Sequence, residues 1–184
     1  MHRLLVLIAL IIAGSLALTS LTPSGALAQT SEPAALYKSY LPLIAGPART
    51  QSPAEETIAN QVLDLVNVER AKVGCQPLTL DARLTAAAQS HSEDMAINDY
   101  FSHTSLDGTT ASQRVTRAGY AWTATGENIA AGYASAAQVM QGWMKSDGHR
   151  ANILNCIYVH MGVGHYYEAG DTYGHYWTQV FARP

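Results

Sequence analysis

Cysteine is scarce: 184 residues hold two. That excludes a cysteine-rich zinc module and a densely cross-linked mini-protein. Charge is scarce as well. Only 14% of residues are charged, and the net charge is −3 with the seven histidines counted as neutral. Such a balance offers nucleic acid no basic footprint. Beyond Leu18 there is no second long apolar stretch, and no internal repeat. What is present is ordinary apolar content, 48% of the chain, at low charge. That combination excludes global disorder, and the length suits one domain.

The single apolar run, Leu4 to Leu18, follows His2 and Arg3 and leads into small residues ending in Ala26-Leu27-Ala28. A positive start, an apolar middle and an A-x-A site read as a secretory signal peptide, residues 1–28. A membrane anchor is the rival reading, but the run is short for a span and polar Thr19, Ser20 and Thr22 follow it. After cleavage no transmembrane segment is expected, and the protein is secreted. In an oxidising compartment the two thiols, Cys75 and Cys156, are expected to pair. The alternative is a metal pair, although no third soft ligand sits near either.

Residues 29–53 carry Pro33, Pro42, Pro47 and Pro53, which spoil helices and central strands alike. They read as a leader or tether before a domain at 54–184. Ser52-Pro53-Ala54-Glu55 has the signature of a helix start, and Ile58, Val62, Leu65 and Val66 share a helical face up to Gly74. Asp81 caps a second helix with Leu84, Ala88, His91 and Met95 on one stripe. Asp107-Gly108 marks a turn before a short helix through Gln113 and Val115, ended by Gly119. Ser135 to Gln138 reads as a capping box for a helix bearing Val139, Met140 and Trp143. The period then changes. Residues 161–164 and 176–181 read as strands joined across Gly170-Asp171, and 127–133 as a further strand. Helices first and a small, mostly antiparallel sheet late make the fold class α+β.

Three segments carry more functional residue types than local structure requires: Tyr100-Phe101-Ser102-His103, then Gly126-Glu127-Asn128, then Trp143 to Asn155 with Ser146, Asp147 and Gly148-His149-Arg150-Ala151-Asn152-Ile153-Leu154. His91, on the apolar stripe of its helix, reads as a hydrogen-bonded core residue. His160, His165 and His175, among tyrosines and glycines, read as a surface cluster. The surrounding tyrosines and Trp177 suit strands, with a carbohydrate or lipid platform as the alternative.

In this order YFSH, GEN and W-x-x-S-D-GHRANIL, followed by GVG and WTQVF, resemble the CAP superfamily of cysteine-rich secretory, antigen 5 and pathogenesis-related 1 proteins. The likeness is to its bacterial secreted, SCP-like branch and covers about residues 56–184. It implies a three-layer α-β-α sandwich whose cleft is lined by His103, Glu127 and His149. The family's second acid corresponds to Ser146 here, with Asp147 one residue off, so the His-Glu-Glu-His set is incomplete.

Two imidazoles and a carboxylate can hold Zn²⁺ or another divalent metal and leave a position open. The same trio suits general acid–base work, or a purely structural polar cluster. No nucleophile is marked, since Ser102 has no orienting acid. The resulting expectation is a monomeric extracellular binding protein, taking a divalent metal, or a lipid or other small apolar ligand, as some members of the resembled family do. A metal-dependent hydrolase of peptide or cell-wall material is one alternative. A structural or adhesive protein of the cell envelope is another.

Overall fold

The computed structural model describes residues 52–184. The signal-peptide and tether readings fall outside the described residues, apart from Ser52 and Pro53. Helix α1, Pro53–Lys72, starts where the sequence signals it. Ser52 Oγ accepts from the Glu55 N–H (3.3 Å) and Glu55 Oε2 accepts from the Ser52 N–H (2.7 Å). Gly74, at φ +76°, turns the chain away at its end. A two-residue strand β1, Thr79–Leu80, precedes α2, Ala82–Ile97, which Asp81 caps by accepting from the Arg83 N–H. Then come α3, Ala111–Arg117, and β2, Ala124–Ala131. Next are α4, Ala136–Lys145, and α5, Asp147–Ile153, and finally β3, His160–Tyr167, and β4, His175–Arg183.

Several expectations need correcting in detail. The strand expected over 127–133 begins at Ala124 and stops at Ala131, because Gly132 takes φ +82°. Ser135 does cap α4 through the Gln138 N–H, but Gln138 Oε1 accepts from the Ala134 N–H instead of the cap residue's own, so the box is displaced by one residue. The segment from Asp147, to which the sequence pattern assigns no element, is a helix. Seven residues with one buried apolar side chain, Ile153, give too little periodicity to reveal it.

The sheet has strand order β1-β3-β4-β2. β3 pairs antiparallel with β4, β4 antiparallel with β2, and β1 parallel with β3. Alternation along β4 sends Trp177 and Phe181 to one face and Val180 and Ala182 to the other. The first face packs with Val62 and Val66 of α1, Val139 and Trp143 of α4 and Ile153 of α5. The second packs with Leu84 and Ala88 of α2 and Val115 of α3. Full burial of a side chain such as Phe181 stabilises the fold by roughly 1.5–3 kcal/mol. Helices thus cover both faces, as a sandwich requires.

The α2 side is closed by glycine. A Cβ on Gly162 would lie 2.1 Å from the Leu84 carbonyl carbon, and one on Gly164 would lie 2.3 Å from that of Ala88. In Gly162-Val163-Gly164 the glycines therefore face α2 while Val163 joins the opposite core. Ser92 Oγ crosses the gap to Gly164 O (3.1 Å) and Thr178 Oγ1 (2.9 Å).

The two cysteines are bonded to each other, with Cα atoms 5.0 Å apart. Beside them Arg70 is fully buried. Its guanidinium donates to the carbonyls of Gln76, Ile153, Asn155 and Tyr158. Four carbonyls with no carboxylate hold this charge, and together with the disulfide they fix the end of α5 to α1.

Candidate functional site

Glu127 lies in the middle of β2, opposite Val180 of β4, with a side chain only 3% exposed. A buried carboxylate needs partners, and two reach it. His103, from the loop after α2, places Nδ1 2.8 Å from Oε1. Arg114, from α3, places Nη2 2.7 Å from Oε2. Burial alone would raise the Glu127 pKa, but the bonds from His103 and the charge of Arg114 outweigh it and hold the carboxyl below its ordinary value.

Arg114 also positions the loop that carries His103. It donates to the carbonyls of His103 (2.9 Å) and Thr109 (3.0 Å) and to Ser105 Oγ (3.1 Å). From beneath, His91 Nε2 donates to Ser102 O at 2.9 Å. His91 is 1% exposed, so the core reading of this residue holds. A carbonyl accepts only, which puts the proton on Nε2 and leaves Nδ1 as a buried lone pair without a partner. The same logic assigns the His103 proton. Nδ1 faces a carboxylate and carries the hydrogen, so Nε2 is the basic nitrogen, on a side chain 55% exposed.

His149 comes from α5 and is partly buried. Burial first, and then the charge of His103, push its pKa down, so the two imidazoles lie within electrostatic reach of each other. Its helix is fastened to β2 by amides. Asn128 Nδ2 donates to His149 O (3.1 Å) and to Gln179 Oε1 (3.0 Å). Asn152 Nδ2 donates to Glu127 O (3.1 Å) and Asn128 Oδ1 (2.9 Å).

Each letter of Gly126-Glu127-Asn128 thus has a physical reason. A Cβ on Gly126 would lie 2.6 Å from the Tyr158 hydroxyl. Glu127 holds His103, and Asn128 holds α5. Ser146 is the hinge residue between α4 and α5 and makes no side-chain cap bond. Asp147 is 93% exposed and accepts from Arg150 Nη2 at 2.5 Å. The structure brings His103 and Glu127 into contact and sets His149 nearby, while the Asp147 carboxylate is turned to solvent.

Among the described residues no group of three His, Cys, Asp or Glu side chains is arranged to hold a metal ion. The reason is visible at Glu127: one oxygen belongs to His103 and the other to Arg114. Sequence reasoning missed Arg114, because a lone arginine on a seven-residue helix looks like surface charge. Only the packing of α3 beside β2 reveals its role.

His160, His165 and His175 do not form one cluster. His160 Nδ1 is bonded to the Tyr120 hydroxyl at 2.7 Å. His165 and His175 pair with each other across β3 and β4.

Helices on both faces of this sheet, one disulfide, and a histidine held by a buried glutamate define an α+β sandwich domain of the extracellular type. The chain belongs to the CAP, or cysteine-rich secretory protein, family, whose model matches residues 63–181. It is 36% identical over 146 residues to the uncharacterized protein YkwD of Bacillus subtilis (strain 168), covering 78% of this chain and 55% of that protein. It is 40% identical over 110 residues to the uncharacterized membrane protein YlbC of the same organism, covering 60% of this chain and 32% of the other. This chain therefore spans about half of one relative and a third of the other.

Among solved structures, an extracellular SCP-domain protein from Bacillus anthracis superposes with a TM-score of 0.64 at 33% identity, over 74% of this chain and 45% of that one. An outer surface protein from Borrelia burgdorferi shares the fold with a TM-score of 0.63 at 20% identity, over 73% and 96%. No helix among the described residues is long and apolar enough to cross a membrane. Kinship with an extracellular SCP-domain protein agrees with a disulfide suited to an oxidising compartment, and the protein is secreted.

Proposed function

We propose that this CAP domain is an extracellular binding module, not a hydrolase, and that His103 and His149 are its ligand-facing groups toward a divalent metal such as Zn²⁺. The observation that carries this reading is the 2.8 Å bond from His103 Nδ1 to Glu127 on an imidazole that remains 55% exposed. A carboxylate behind an imidazole fixes the tautomer and aims the other nitrogen outward, as such partners do behind metal-binding histidines.

The donor set decides the roles. Glu127 does not fit as a direct third ligand while Arg114 stands 2.7 Å from its second oxygen, because the guanidinium already supplies the positive charge. The donor set proposed is therefore the two imidazoles, with the glutamate behind one of them. A bound ion would supply Lewis acidity. The chain's own groups are poorly placed to exploit it. Glu127 is held below the ordinary carboxylate pKa and is a weak base, and the Ser146 hydroxyl is weaker still.

The test is equilibrium dialysis with Zn²⁺ on the intact protein and on His103→Ala, His149→Ala and Glu127→Gln. Loss of one bound equivalent in both alanine variants, with about 10–100-fold weaker uptake in the glutamine variant, supports the reading. Unchanged uptake in His103→Ala overturns it. Turnover of a peptide, ester or cell-wall substrate that vanishes in Glu127→Gln, with the fold intact, would install the hydrolase alternative.

A further inference from the structure

On the other face of the sheet from Glu127, β3 and β4 carry a second pair of imidazoles. Trp177, which packs into the core with α1 and α4, stands directly across from His165 in the ladder, and Tyr167 stands across from His175. The two histidines are therefore diagonal neighbours. His165 Nε2 lies 3.0 Å from His175 Nδ1, with ring centroids 5.2 Å apart and planes 20° from parallel.

Aromatic rings on both sides hold this pair. The Trp177 ring lies 4.1 Å from that of His165, and the Tyr167 ring lies 4.7 Å from that of His175. The backbone of His165 is pinned as well. Its N–H donates to Gln89 Oε1 (3.0 Å) and its carbonyl accepts from Gln89 Nε2 (2.9 Å). Trp177 in turn donates its indole N–H to Tyr133 O at 2.7 Å.

We propose that His165 and His175 form a second binding site, a two-nitrogen clasp for Cu²⁺. Two nitrogens each about 2.0–2.1 Å from one metal are about 2.8–3.4 Å apart, from tetragonal to tetrahedral geometry. The two rings, 3.0 Å apart through the hydrogen bond they share, therefore need only a small rotation to reach one ion, and Cu²⁺ stands highest among divalent first-row ions for imidazole donors.

Proton balance is simple. In the neutral pair one ring donates to the other. On binding, the donating ring moves its hydrogen to its far nitrogen, both lone pairs turn to the ion, and no proton leaves the site. Water completes the coordination sphere.

Trp177 provides a local reporter, because Cu²⁺ bound beside an indole quenches its fluorescence. Because copper would also enter the His103 and His149 pair, the titration uses His103→Ala with His149→Ala; copper sulfate should quench part of the tryptophan emission of this double variant to an endpoint of one equivalent. Electron paramagnetic resonance should show two nitrogen ligands. In this background His165→Ala and His175→Ala should each abolish the quenching. Circular dichroism checks that the variants fold. His175, nearer the hairpin end, is the safer substitution should His165→Ala not fold. Quenching that persists when His175→Ala is added overturns the proposal, and so does the absence of quenching from the His103→Ala, His149→Ala protein. Failure of Zn²⁺ uptake at His103 and His149 leaves this site untouched, since the two pairs are probed by different variants.

Discussion

Arg114 Nη2 lies 2.7 Å from Glu127 Oε2 and closes the side of the carboxylate that His103 leaves open. A guanidinium thereby occupies the place at which a third metal-ligand bond from Glu127 would form. Removing Arg114 leaves Glu127 buried beside a single imidazole. Arg114→Ala should lower stability by about 3–5 kcal/mol, read by urea unfolding. Arg114→Ala with Glu127→Gln should lose less than the sum of the single losses, because neither partner then faces an uncompensated charge. The pH behaviour follows from a folded-state pKa held below the ordinary 4.5. Glu127 stabilises the fold fully above that ordinary value and loses its contribution as pH falls through the lowered one. The stability gap between wild type and Glu127→Gln should be flat above about pH 5 and shrink below it. A gap that widens on acidification would contradict the assignment.

His91 predicts the opposite end of the acid range. Burial first, and then the charge of Arg114, lower its pKa from 6.5 to about 4. The unfolded chain therefore binds a proton that the folded one refuses, and stability falls as pH drops from about 6.5 towards 4. The effect reaches about 3 kcal/mol at most. His91→Gln, which keeps a donor for Ser102 O, should flatten this part of the stability curve. Part of the slope should remain, because the less buried His165 is shifted in the same direction.

The glycines of β3 should not tolerate a methyl group. Gly164→Ala places a Cβ 2.3 Å from the Ala88 backbone, and a helix backbone cannot yield as a side chain tip can. A loss of at least about 3 kcal/mol, or failure to fold, is expected. Gly170→Ala is the control. It has φ +91° and no atom within 4 Å, so it should cost only about 1–2 kcal/mol of backbone strain. Equal losses at the two positions would show that conformation, not close helix–sheet approach, dictates Gly164.

The Cys75–Cys156 bond, with a sequence separation of 81, restrains the unfolded chain by up to about 4.5 kcal/mol in the loop-entropy account. Reduction, or replacement of both cysteines by serine, should lower stability by about 2–4 kcal/mol. Because the bond and Arg70 together hold the end of α5, reduction should also weaken Zn²⁺ uptake through His149. Stability unchanged after complete reduction would remove this restraint from the account.

Features that local chemistry encodes were legible along the chain. The Ser52 capping box, the Gly74 and Gly119 stops, the period change before residue 161 and the export-linked cysteine pair each depend on near neighbours or on compartment. So was the family, because three short blocks in order identify it. Packing settled the remainder. Glu127 meets Arg114 only because α3 packs beside β2, and His165 meets His175 only because of the β3–β4 register. Arg70, a charged residue on an amphipathic helix, would pass for surface, but it is buried because four carbonyls from distant segments converge on it. Side-chain roles of this kind depend on contacts across tens of residues, where spacing along the chain carries no information about direction in space.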